Sequence, residues 1–411
     1  LALRQVNSLA WTPDPKTIDV KWQDVRPWPD RGYAFAAPAI DTPTAIRHAE
    51  LYLAIGRMLA LRSARDSVVR MFQRNARAMI GVLVDRNSCD FRALADTADL
   101  PDQSLVQFAH DVAVGTAAIA MQDAGFIWAD HAKRLLPAGL QRPDYVWSAG
   151  HWSGGVVLSE VKGMTSGAAF GRLRRRTERA WHEQVADWAL DHTLAGEPIL
   201  GGYAIGVHVP GGREAGMAVI RSYPVWSGEY PPPYPFEEES ERPGREGPSV
   251  AVAKGHYRAV LSLIGARGLA RRLLPVPLAD LETRRFDIIQ TGDLSFVVPG
   301  RPQRGDLVPA LELDAFRFAQ WLALDLPGKE KETEGGEHVF RAGSLASGRA
   351  KWSGPLRVPA PTFDPAMAAN EQWQGAKVEA LAPDGLALIR RGLRTKVVRE
   401  LEVSGESVRY L

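Results

Sequence analysis

Residues 142–163 read RPDYVWSAGHWSGGVVLSEVKG, a strand-forming run broken by an acid after a proline, Asp144, and by Glu160 and Lys162 on either side of Val161. Side chains on a strand alternate between faces, so Glu160 and Lys162 share one face and Val161 points to the other. Taking PDYVW and GVVLSEVKG as antiparallel strands joined by the glycine-rich turn SAGHWSGG puts Asp144 beside Glu160 at one edge of a sheet. Two converging carboxylates repel, and a divalent cation with oxygen ligands relieves that repulsion. Magnesium, with manganese able to substitute, is the expected ion, held by Asp144, Glu160 and the backbone carbonyl of Val161. The Lys162 ammonium beside it could lower the pKa of a water or orient it for in-line attack on phosphorus. A plainer alternative stays open here: Asp144 capping a turn, with Glu160 and Lys162 as a solvated pair on a wet strand face.

The elements around this run are those of an α/β unit. LPDQSLVQFAHDVAVGTAAIAMQDAG predicts a helix rich in small residues, able to pack closely and stopped by Gly125. FIWADHAKRLLPAG follows as a short strand and turn. Beyond the lysine, TSGAAFGRLRRRTERAWHEQVADWALDHT is long and amphipathic. YAIGVHV and GMAVIRSY then predict two strands joined by the hairpin turn PGGREA.

Pro143, Asp144, Glu160 and Lys162, with Gly163 after the lysine, resemble the motif of the restriction-endonuclease-like nuclease superfamily: proline-aspartate, a gap, then acid-x-lysine on the next strand. The resemblance implies a core of helix, three strands, helix and a further strand, the order read above over residues 102–222. It implies a magnesium-dependent nuclease acting on DNA, with Asp144 and Glu160 as metal ligands and Lys162 positioning or activating water. In such nucleases the helix after the lysine often carries a polar residue facing the site, and Gln184 of AWHEQVADW matches it. Arg172, Arg174, Arg175, Arg176 and Arg179 of GRLRRRTER would neutralise phosphates, or would simply form a wet helix face. One feature departs from the pattern: many members carry a glutamate on the first helix, where this chain offers only Asp111, so the number of metal ions stays open. The competing expectation is an inactive subunit of the same fold, kept as a scaffold for nucleic acid or protein.

Composition narrows the remaining options. The 411 residues carry 50 Lys and Arg against 48 Asp and Glu, a formal net charge of +2, so attraction to a polyanion must come from local clusters. The single cysteine, Cys89, excludes an intrachain disulfide framework and a zinc site built on several thiolates. No GxxxxGK[ST] loop occurs, GHWSGG lacks the glycine two positions before Ser153 that a nucleophile elbow needs, and His182 and His192 lack the spacing of a metal pair. No continuous apolar run long enough to span a membrane is evident, and a cytoplasmic protein is expected. Two-strand cutting would call for a pair of sites, hence a homodimer or a protein partner.

The overall expectation is an α/β, or α+β, chain in four regions. Residues 1–100 read as mainly helical, with a Trp- and Pro-rich opening of irregular or short-strand structure and a helix whose N-cap is Thr42 and first position Pro43. The nuclease-like core follows at 101–222, then a Pro- and Glu-rich linker at 223–250, and an α+β region of unknown role at 251–411. Genome defence and DNA processing are the settings that suit such a protein.

Overall fold

A computed structural model describes residues 11–28, 36–62, 66–137, 141–149, 155–166, 170–189, 193–194, 197–224, 248–273, 283–291, 293–299, 307–324, 339–341, 372–373, 376–391, 397–403 and 407–410. Most of the expected hairpin turn (150–154), His192 and most of the expected linker (225–247) lie outside the described residues. The chain divides into two units. One takes Leu1–Met58, Arg70–Val252 and Leu356–Val358, and the other takes Leu59–Val69, Ala253–Pro355 and Pro359–Leu411. The regions expected at 1–100 and 101–222 therefore contribute largely to one unit.

In the first unit the elements run β1 (Lys16–Trp28), β2 (Thr44–Ile46), α1 (His48–Leu61) and α2 (Asp66–Leu83), whose residues 59–61 and 66–69 fall in the second unit, then α3 (Asp102–Asp123), β3 (Trp128–His131), α4 (Ala132–Leu135), β4 (Tyr145–Ser148) and β5 (Val156–Met164). Then come α5 (Phe170–Ala180), a π-turn (Trp181–Ala186), α6 (Asp187–Ala189), β6 (Thr193–Leu194), β7 (Glu197–His208) and β8 (Gly216–Pro224). One mixed sheet has the order β2-β1-β8-β7-β5-β4-β3, with β6 on β7. Strands β3, β4 and β5 form an antiparallel meander, while β7 lies parallel to β5 because α5 carries the chain across between them. The hairpin turn PGGREA returns β8 antiparallel to β7, with Gly212 at φ 70.

Glycines show why helices seat on both faces of this sheet. A Cβ on Gly163 would stand 2.2 Å from the Ala109 carbonyl oxygen of α3. On the other face, a Cβ on Gly206 would stand 2.2 Å from Thr177 Oγ1 of α5. Gly206 pairs with Lys162 in register, so Lys162, and Glu160 two residues before it, face the α5 side. With helices on both sides, Val156–Val161 are all buried, as a central strand requires. Gly125 at φ 89 ends α3 as expected. Among the described residues α3 is the one helix long and apolar enough to cross a membrane, but 72% of its apolar window is buried, as in a core helix.

At the N-terminal end one expectation is extended, from a short strand to a long one, and one is corrected. The opening stretch contains a 13-residue strand, β1, lying parallel to β8. The helix does not start at Thr42 and Pro43: β2 pairs antiparallel with β1 there, the Thr42 hydroxyl accepts the Val20 N–H at 3.3 Å, and α1 begins at His48. Strand pairing thus takes the backbone groups that a helix start would have used.

The second unit is built on a nine-stranded antiparallel sheet ordered β12-β17-β16-β9-β10-β11-β15-β14-β13. Its strands are β9 (Arg284–Thr291), β10 (Leu294–Pro299), β11 (Leu307–Glu312), β12 (Val339–Arg341), β13 (Gln372–Trp373), β14 (Ala376–Leu381), β15 (Leu386–Arg391), β16 (Val397–Val403) and β17 (Ser407–Tyr410). The helices are α7 (Val250–Leu263), whose first residues fall in the first unit, α8 (Arg267–Arg272) and α9 (Leu313–Leu324). Ile289, Phe296, Val298, Ala310, Val378, Leu381, Ala387 and Ile389 form an apolar core on this sheet. The turn expected at APDG joins β14 to β15, with Gly385 at φ 83. The buried His256 Nε2 lies 2.7 Å from Asp384 Oδ2 and ties α7 to that turn. Both units mix helices with sheet, so the chain is α+β.

Candidate active site

The site rests on the β4–β5 hairpin. Tyr145 pairs with Ser159, Val146 with Leu158 and Trp147 with Val157, so one further step along both strands sets Asp144 opposite Glu160. The buried Trp147 indole N–H donates to Ser159 Oγ at 2.7 Å and ties the two strands together on the opposite face. Asp144 Oδ2 accepts the backbone N–H of Val161 at 3.1 Å, which draws the aspartate over the Glu160–Val161 peptide.

Around this pair the expected side chains converge. Lys162 Nζ donates to Glu160 Oε1 and, at 3.0 Å, to Gln184 Oε1. Gln184 Nε2 donates to the Arg142 carbonyl at 3.3 Å, so one amide spans the ammonium and the chain leading into Asp144. Gln184 lies in the π-turn Trp181–Ala186, a helical form that is rare and recurs at functional sites. Asp144, Glu160, Lys162 and Gln184 are thus brought together, and Val161 supplies a backbone N–H to Asp144.

Glu160 is 2% exposed, and its Oε2 has no hydrogen-bond partner among the described residues. Its carboxyl is pushed up to about 8, first by burial and then by the charge of Asp144. Lys162 and the backbone N–H of Asp144 act in the opposite direction. A buried carboxylate with an orphaned oxygen beside a second carboxylate has the donor chemistry of a hard-cation site. Among the described residues no group of three or more His, Cys, Asp and Glu is placed to hold a metal. Asp111 does not join as a third carboxylate; it is buried in α3, where Gln107 Nε2 donates to it at 2.6 Å. The remaining coordination would fall to the Val161 carbonyl, water and substrate oxygens, an arrangement magnesium readily accepts.

The five arginines lie on α5 and all are exposed, while Leu173, Thr177 and Ala180 form its buried face. They differ in what holds them. The Arg174 guanidinium stacks over the Trp22 ring at 4.6 Å, tying α5 to β1, and Arg179 stands 3.8 Å from Glu183. Arg172, Arg175 and Arg176 are left on the solvent side of the helix.

Sequence reasoning passed over Trp188, whose indole N–H donates to the Gln141 carbonyl at 2.8 Å. In sequence it reads as a core tryptophan one turn after Gln184. A scan against protein-family models, a search of curated proteins and a search of solved structures each find no match to this chain.

Proposed function

We propose that this protein is a metal-dependent nuclease that hydrolyses DNA phosphodiester bonds, on a core of the restriction-endonuclease-like kind. The carrying observation is the meeting of Asp144 and Glu160 across the β4–β5 hairpin, with Lys162 donating to both Glu160 and Gln184. The order α3, β3, β4, β5, α5, β7 supports the same reading.

Asp144, Glu160 and the Val161 carbonyl would hold magnesium or manganese. When bound, the cation supplies positive charge against the phosphate oxygens as negative charge builds there. Lys162, fixed by the Gln184 amide, would orient an attacking water in line with phosphorus, its positive charge favouring the hydroxide formed as the water's proton passes to solvent. Gln184 is best placed as the residue that aims Lys162. Arg172, Arg175, Arg176 and Arg179 contact backbone phosphates on either side of the scissile bond, while Arg174 keeps α5 seated on β1.

The test is cutting of supercoiled plasmid with magnesium or manganese. The full chain should nick or linearise it, and Lys162→Ala should lower the rate at least ~100-fold, the size of a lost acid–base or water-orienting group, with an unchanged circular dichroism spectrum. No cutting by the unaltered chain with either metal, on duplex, single-stranded or end-bearing DNA, would instead favour a binding scaffold.

A further inference from the structure

Building on the nuclease reading, the geometry points to Trp188 as a positioning residue that sets the metal-binding carboxylate of Asp144. Residues 141–143 form a strap leading into β4, and two successive carbonyls of this strap are taken by side chains one helical turn apart. Gln184 Nε2 donates to the Arg142 carbonyl at 3.3 Å, and Trp188 Nε1 donates to the Gln141 carbonyl at 2.8 Å. Past the strap, the Asp144 carbonyl accepts the Ala132 N–H at 3.0 Å and its carboxylate accepts the Val161 N–H at 3.1 Å. The aspartate is thus held from α4, from β5 and from the helix bearing Gln184 and Trp188.

Between the tethers and the acid stands Pro143, buried and with its φ fixed by the ring. A shift of the Gln141 carbonyl therefore passes to Asp144 with little backbone freedom to absorb it. Trp188 is 1% exposed, so an indole that left the part-buried bond to the Gln141 carbonyl would strand its N–H inside the protein. It lies two residues beyond the π-turn that carries Gln184, so one continuous helical segment aims the lysine and braces the aspartate. Outer hydrogen bonds that orient a metal ligand typically change metal affinity by about 10–100-fold.

The experiment compares the full chain with Trp188→Phe by calorimetric titration with manganese and by the magnesium dependence of plasmid cutting. The manganese Kd and the half-saturating magnesium should both rise about tenfold, while the rate at saturating metal stays within about twofold of the unaltered chain. A tryptophan that only fills the core would lower melting temperature and maximal rate but leave the metal constants unchanged, and that result would overturn the proposal. Should Trp188→Phe fail to fold, 3-benzothienylalanine placed at 188 keeps the ring shape and removes only the N–H, and the same shift in manganese Kd is required of it. An unaltered chain that binds manganese without cutting would sink the nuclease reading, leaving Trp188 to be judged by its effect on the Kd. An unaltered chain that binds no manganese would overturn both.

Discussion

Glu160 concentrates the chemistry of the site in one carboxyl group. Its ordinary value of 4.5 rises to about 8 in the folded chain because burial and Asp144 oppose its charge. Between those values the unfolded chain has released the proton and the folded chain keeps it, so stability falls as pH rises through that window and the loss is complete above about 8. At about 1.4 kcal/mol per pH unit, the cost is on the order of 3 kcal/mol once screening around the partly exposed Lys162 and Asp144 is allowed for. In metal-free buffer the melting temperature of the unaltered chain should therefore drop more steeply across the window than that of Glu160→Gln, which keeps the drop due to the raised Asp123 carboxyl. Magnesium added above pH 8 should restore only the unaltered chain, since a bound cation stabilises the ionised carboxylate. Parallel pH profiles for the two proteins would show that Glu160 is ionised throughout and that its burial carries no penalty.

At the scale of elements, the sheet is clamped between α3 and α5, and at Gly163 the backbone of α3 lies close against β5. A methyl there would sit 2.2 Å from the Ala109 carbonyl oxygen, and that is backbone, which cannot swing aside. Gly163→Ala should cost about 2 kcal/mol of stability by overpacking and displace β5 near Lys162. Gly171, by contrast, meets nothing within 4 Å in the first turn of α5, so Gly171→Ala should be neutral or stabilise by about 0.5–1 kcal/mol. Urea midpoints compare the two, and equal midpoints would mean that α3 does not bear on β5 at Gly163. The local elements were legible because their signals are local: glycine stops, period-2 runs and a turn from which register can be counted. The same counting made the meeting of Asp144 and Glu160 legible. The full length and pairing of β1 were not, although TIDVKWQDV alternates, because its partner β8 begins at Gly216 and a parallel pairing leaves no turn to announce it. The burial of Glu160 also escaped, since charges alternating on a strand ordinarily mean a wet face, and the covering helix lies beyond the hairpin in sequence. The π-turn left no sequence signal, and with it went the role of Trp188.

On the scale of the whole molecule, the chain passes between its two units more than once, with Leu59–Val69 assigned to the second unit and Ser249–Val252 to the first. Motif boundaries alone would suggest excising the proposed nuclease core at residue 224, where β8 ends. The hydrogen bonds argue against it. The Ser249 backbone N–H donates to Ser148 Oγ at 2.9 Å, at the end of β4, with both residues buried. Arg258, 6% exposed, donates to the Leu61 carbonyl at 3.0 Å and so satisfies the C-terminal end of α1. Val250 and Val252 are buried as well, so the cut removes apolar cover together with both tethers. A fragment ending at 224 should be largely insoluble or melt well below the full chain. One ending at 252 regains the Ser148 contact but not Arg258, and should fall between them. Soluble yield and melting temperature measure this directly. A 1–224 fragment that melts with the full chain and cuts DNA at the same rate would mean that catalysis needs nothing beyond residue 224, and that losing the Ser249 and Arg258 contacts has no energetic consequence.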